Sequence, residues 1–421
     1  MQNINYQNNK NILILGGTLS TLDVVKTAKK MRLKVTITDN LEGGVSKQYA
    51  DEIINYSTDD YTNISKYIKE NHIDGVFTGA SEFNIKNMIN ICNQNNLPVY
   101  CNMMQWDTCS NKSRFKQLCK EYGVNTVPEY FIDSHDCSHI SDEYFPLIIK
   151  PVDSYSGHGI SICRNRNELN AGIKKALDNS KSKQIILEKY MQCDNVEVYY
   201  IVQDGHVELM TLSDRITRND LNGSPIPTFF YHPSKHKDVY LQTTNEKVCK
   251  MFEKFGLENG VFFMESFFDG KDFYFYEMGY RLNATMEYKF VEYFNGFSPL
   301  EYMIQYAIEG KFGNQKIKDV NKNFKGYACE IAPILKSGII KNIIGLEDIL
   351  KDKEVIHITQ FYHIGDHIKT EGTLDQNFAR IQIVSSTEEE LHKKIDKIIS
   401  QLHVIDENGN DLLLPLKGME K

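Results

Sequence analysis

Two glutamates stand where carboxylates are costly. Glu265 lies in VFFMESFF and Glu277 in FYFYEMGY, apolar and aromatic runs in which a lone charge loses its hydration. The pair Asp269 and Gly270 between them signals a hairpin turn. A hairpin centred on Lys271 sets Glu265 directly opposite Glu277 on one sheet face. Facing carboxylates repel unless a proton or a cation sits between them. A hard ion such as Mg²⁺ is the natural bridge, since it takes a few carboxylates together with substrate phosphates. Alternation along the strand then carries Gly279, Arg281 and Asn283 onto the face of Glu277, with Arg281 placed to stabilise developing negative charge. A two-residue turn would instead separate the glutamates and leave a solvent-facing strand.

A second candidate is IIKPVDSYSGHGIS, residues 148–161. Lys150 ends an apolar strand, and Ser154, Ser156, Gly157 and Gly159 follow in a loop able to cradle phosphate through backbone N–H groups. The order is not that of a Walker A loop, whose lysine comes after its glycines. His158 in this loop is either an exposed filler or an acid–base group. Arg215 in SDRITR has the fork that suits phosphate or carboxylate, or belongs to a solvated turn. Gly16, Gly17 and Asp39 have the layout of a dinucleotide site, but GGTLST lacks the third glycine of G-x-G-x-x-G, which favours an ordinary βα turn.

The elements that position these residues follow from periodicity. Residues 1–106 alternate buried strands (ILILGG, LKVTITDN, DEIINY, DGVFTGA, LPVYCN) with amphipathic helices, the pattern of a Rossmann-like, doubly wound α/β domain. Residues 107–310 mix helices with hairpins, including one turning at Asp204 and Gly205, as an α+β region does. Residues 311–421 form a third, strand-rich module.

The net charge of −8 argues against a nucleic-acid partner. Nine cysteines with no CxxC or zinc spacing suit a reducing cytosol, and no apolar run is long enough to span a bilayer. A cytoplasmic protein without a membrane partner is expected.

Together these pieces resemble the ATP-grasp superfamily, with its carboxylate–amine ligases, biotin carboxylases and carbamoyl-phosphate synthetases. A strand lysine ahead of a glycine loop is that family's signature. The resemblance implies a pre-domain, a two-lobed ATP-grasp domain whose small lobe is about 107–187, and a C-terminal domain similar to that of L-amino-acid ligases of the bacilysin-synthesis type. It implies that Lys112 in SNKSRF and Lys150 hold phosphates, and that the 154–159 loop closes over them. Glu188 and the backbone of Lys189, Tyr190 and Met191 in ILEKYM would contact adenine, and Glu197 the ribose. The family motif E-x-N-x-R reads here Glu277-Met278-Gly279-Tyr280-Arg281, so Asn283 would stand in for the missing metal-ligand asparagine. The implied cofactors are ATP and Mg²⁺, with Mn²⁺ as a substitute. The implied partners are a small carboxylate and an amine joined through an acyl phosphate, and a homodimer is compatible. The alternatives are a carboxylase or carbamoyl-phosphate-type enzyme, a dehydrogenase, or a nucleotide-binding regulator.

Overall fold

The computed structural model describes residues 10–131, 137, 139–153, 159–218, 225–312, 316–317, 324–369 and 373–416. Strands β1 (Asn11–Leu15), β2 (Lys34–Thr38), β3 (Glu52–Ile54) and β4 (Gly75–Phe77) make a parallel sheet in the order β3-β2-β1-β4. The four apolar residues of β1 after Asn11 are buried, as a strand covered by helices on both faces requires. Asp39 is nearly buried and accepts a hydrogen bond from the Gly17 N–H at 2.7 Å. Its carboxylate braces the βα turn, so this is the ordinary turn and not a ribose site.

The expected strand LPVYCN is not formed. Asn102 instead caps the helix Met103–Ser110 through a reciprocal capping box with Gln105. That helix straddles the expected border at 106. The pre-domain also packs against a distant segment: a Cβ on Gly75 would stand 2.0 Å from the Ala307 carbonyl, so helix Pro299–Glu309 lies hard against β4.

The small lobe is an antiparallel sheet ordered β5-β8-β6-β7, from β5 (Glu129–Tyr130), β6 (Leu147–Pro151), β7 (Ser161–Cys163) and β8 (Ile185–Lys189). Helix Arg166–Asp178 closes its core over Leu147, Ile149 and Leu187.

The large sheet is built on β9 (Asp194–Gln203), β10 (His206–Arg218), β11 (Ile226–His232), β12 (Gly260–Phe268) and β13 (Phe273–Gly279). Asp204 and Gly205 both have positive φ, 51° and 79°, as a two-residue hairpin turn with the right twist demands.

The C-terminal strands β14 (Tyr327–Ile331), β15 (Gly338–Ile344), β16 (Val355–Gln360), β17 (His367–Ile368), β18 (Ala379–Ser385) and β19 (His403–Asp406) are strand-rich as expected, but they do not stand apart. β14 pairs with β11, and the sheet runs through as β13-β12-β9-β10-β11-β14-β18-β16. The exposed edge of β11 is thereby paired, which removes an open ladder. A border at 310 therefore cuts between strands of one sheet. Only β15, β17 and β19 form a separate small sheet.

Candidate active site

Glu265 and Glu277 face each other across β12 and β13. The register has a different cause from simple centring of the hairpin. Near the turn the partners are Phe268 with Phe273, Phe267 with Tyr274 and Ser266 with Phe275. A bulge beyond Ser266 then leaves Tyr276 as the extra residue and brings Glu277 opposite Glu265. Across the other edge of β12, Glu265 faces Glu197 of β9. Three carboxylates thus stand in one row.

Burying such a row is tolerable only because cations and donors reach it. Arg215 on β10 donates to Glu265 and lies 3.6 Å from Glu197. The Tyr276 hydroxyl donates to Glu265 at 2.7 Å, and the Arg215 guanidinium donates to that same hydroxyl at 3.1 Å. Burial pushes the Glu265 carboxyl up, yet Arg215 and the Tyr276 hydroxyl more than reverse this and hold it below the usual range. Glu197 is pushed well up by burial and by the charge of Glu287, and Asn283 donates to it. Within the row the two neighbours are thus shifted in opposite directions, Glu265 down and Glu197 up.

The lysines approach from two elements, Lys150 from β6 of the small lobe and Lys112 and Lys116 from a helix whose buried face joins the large core. Asn111 caps helix Lys112–Glu121 by accepting from the Arg114 N–H, which starts the helix at Lys112. Lys112 and Lys116, four apart, share a helix face. Lys116 and Lys150 both pair with the buried Glu188, Lys150 at 2.6 Å. Glu188 is held below the usual carboxylate range: burial would raise it, but Lys150 and Lys116 outweigh that. Lys150 is lowered by burial and by the like charges of Lys112 and Lys116. Lys112 lies 3.5 Å from Glu277, and that carboxylate, with Glu82, raises it against burial. Lys150 also sits 5.6 Å over the Tyr276 ring, so the bulged tyrosine joins the two lobes. The result is a nest of lysines beside a partly exposed carboxylate, an arrangement that suits a polyphosphate.

Arg281 stacks 4.9 Å over Phe263 and donates to the Leu282 carbonyl and, at 3.3 Å, to Glu82 of the pre-domain. Phe263 also explains Gly279. The two face each other across the ladder, and a Cβ on Gly279 would meet the Phe263 ring at 2.5 Å. Phe263 thus takes the room an asparagine side chain would need. Asn283 does not join the Glu265–Glu277 pair, because its amide is turned onto Glu197.

The remaining expected residues separate. Glu188 accepts one lysine on each carboxylate oxygen. The Lys189 and Tyr190 N–H groups are taken by the carbonyls of Pro128 and Pro146, leaving Met191 as the first backbone donor past the sheet. Glu197 belongs to the carboxylate row. Gly159 has φ 79°, in the left-handed region. Ser154, Ser156, Gly157 and His158 lie outside the described residues.

Three participants were missed from the sequence: Lys116, Tyr276 and Glu82. The spacing of four from Lys112 could have found Lys116. Simple alternation turns Tyr276 away from the site, and only the bulge brings it in. Glu82 opens helix Glu82–Asn95, far along the chain from its partner.

For a divalent ion the donor set fits. Two carboxylates on adjacent strands, one 18% and the other 37% exposed, leave the remaining positions to phosphate oxygens and water. Among the described residues no cluster of three or more His, Cys, Asp or Glu side chains makes an all-protein cage.

Residues 111–308 match the family model "Carbamoyl-phosphate synthase L chain, ATP binding domain". That stretch is similar to the ATP-binding domain of ATP-grasp enzymes. The chain is 24% identical over 297 residues to a formate-dependent phosphoribosylglycinamide formyltransferase of Sulfurisphaera tokodaii, covering 66% of this chain and 72% of that protein. Prochlorococcus relatives of the same name align over about half of their length. The fold is that of an L-amino acid ligase from Bacillus licheniformis, at TM-score 0.78 and 18% identity, covering 96% of this chain and 100% of the other. It is also that of a phosphoribosylglycinamide synthetase from Anaerococcus prevotii, at TM-score 0.73 and 22% identity, covering 95% and 100%. No helix among the described residues is long and apolar enough to cross a membrane.

Proposed function

We propose that this enzyme is an ATP-dependent carboxylate–amine ligase that works through an acyl phosphate. The observation that carries the proposal is the facing pair Glu265 and Glu277 with Lys112 against it and Lys150 above Tyr276. Lys112 and Lys150 bind the phosphates of ATP, and Glu188 and Lys116 orient Lys150 from behind. Glu265 and Glu277 would hold Mg²⁺, which when bound neutralises charge on the phosphates. The acid's carboxylate oxygen attacks the γ-phosphorus, the bond to the β-phosphate oxygen breaks, and ADP leaves. The amine nitrogen then attacks the acyl carbon, loses a proton to solvent, and phosphate departs with the acid's former oxygen.

Arg281 is assigned to the negative charge of the acyl phosphate and of the tetrahedral state that follows. Its planar fork is aimed by Phe263 and Glu82, so little reorganisation is needed when charge develops. Positioning and charge neutralisation are the protein's main tasks in phosphoryl transfer.

An ADP-release screen over pairs of amino acids and related small acids, with products read by mass spectrometry, tests this. The reading requires ADP and an amide formed together. ADP release that depends on bicarbonate alone would favour the carboxylase or carbamoyl-phosphate alternative, and nucleotide binding without any turnover would defeat both.

A further inference from the structure

We propose that a cavity of about 480 Å³ beside Arg281 takes an unphosphorylated small acid with an apolar side chain. This rests on the ligase reading and narrows it. Leu282 and Asn283, the residues directly after Arg281, line the cavity, which sets it next to the arginine assigned to the acyl phosphate. The pre-domain contributes Leu19 and Val24, and the C-terminal module Phe361 and Leu374.

The charge pattern points away from a phosphate. Among the described lining residues the charged ones are Arg380 and Asp375. Arg380 already donates to the buried Glu330 behind it, so its guanidinium is held back by that contact. A phosphate ester is a dianion and is ordinarily held by several donors, by clustered arginines or by a bare helix N-terminus. Two helices do begin near the rim, Leu22–Lys30 and Glu82–Asn95, but each carries a carboxylate in its first turn, Asp23 and Glu82. Those carboxylates satisfy the helix dipoles from within. What remains is a largely apolar chamber whose one cation, Arg380, is tied to Glu330 and accompanied by Asp375, which matches a single carboxylate on an apolar stem better than a dianion. The phosphoribosyl compound in the names of the curated relatives does not match it.

Two variants at the rim keep the fold, because Phe361 and Leu374 are 38% and 36% exposed. Calorimetry in the presence of Mg²⁺ and a non-hydrolysable ATP analogue would titrate leucine, methionine, phosphoserine and phosphoribosylglycinamide. Leucine and methionine are expected to bind. Phe361→Ala should weaken them about tenfold, the scale of a lost apolar contact in a pocket. Leu374→Arg should weaken leucine and strengthen phosphoserine, with affinity for the ATP analogue unchanged in both variants. Tighter binding of the phosphorylated compounds to the parent enzyme, or leucine affinity indifferent to both variants, would overturn the assignment. Turnover separates it from the ligase reading. Leucine binding that responds to Phe361 without any ADP release would sink the ligase and keep the pocket. ADP release whose KM ignores both variants would sink the pocket and keep the ligase.

Discussion

At the scale of residues, the site is governed by where buried charge is compensated. Lys150 is nearly buried and carries a lowered pKa, so its charge is retained chiefly by Glu188. Removing it as Lys150→Ala leaves Glu188 paired with Lys116, and folding should survive. Affinity for Mg·ATP should fall by about 1.5–3 kcal/mol, roughly tenfold to a hundredfold in Kd, as measured by calorimetry. Unchanged affinity would remove Lys150 from the phosphate site. Glu330 offers a test through pH. Burial pushes its carboxyl up from an ordinary 4.5 to about 7, against the pull of Arg380. Between these values the folded chain holds a proton that the unfolded chain has lost, so stability should fall as pH rises through that window. Glu330→Gln should flatten the dependence of Tm on pH across it. An equal slope in parent and variant would show that Glu330 is ionised throughout.

At the scale of elements, much was legible because chemistry and periodicity agreed. The alternating helices and strands of the pre-domain and the two hairpins follow from apolar period and turn residues, whereas the expected pairing of Glu265 with Glu277 is met through a bulge. The bulge at Tyr276 was not legible, since an inserted residue leaves no mark in an aromatic run such as FYFYEM. Nor was the joining of β14 to β11, because sequence order does not say which sheet edge a later strand will cover. Helix Met103–Ser110 was hidden in a segment rich in Asn, Thr and Cys, where only the Asn102 and Gln105 capping box betrays it. The Phe263–Gly279 contact makes an element-scale prediction. Gly279→Ala should destabilise the enzyme by about 1–3 kcal/mol in chemical unfolding, by overpacking against the ring. Phe263→Leu in the same chain should recover part of that loss, and additive effects of the two changes would mean the ring is not the obstacle.

At the scale of the whole molecule, the pre-domain is tied into the catalytic part through charge. Asp23 bonds Lys289 and the Tyr288 hydroxyl, both at 2.8 Å, and Lys30 reaches Glu301 at 2.9 Å. Glu82 extends the same docking to Arg281, so one domain orients the arginine that another domain presents. Lys150 comes from the small lobe, Lys112 and Lys116 from a helix on the large core, the carboxylates from the large sheet, and the walls of the cavity from the outer modules and the segment after Arg281. A site assembled from so many segments makes chemical sense if it must hold ATP, an acid and an amine at once and keep water from the intermediate between them. In the proposed reaction a carboxylate oxygen becomes a phosphate oxygen. The direct measurement is turnover with an acid whose carboxylate carries heavy oxygen, followed by mass spectrometry of the released phosphate. Each phosphate formed along with amide should carry one heavy oxygen, and phosphate free of label would contradict the acyl-phosphate route.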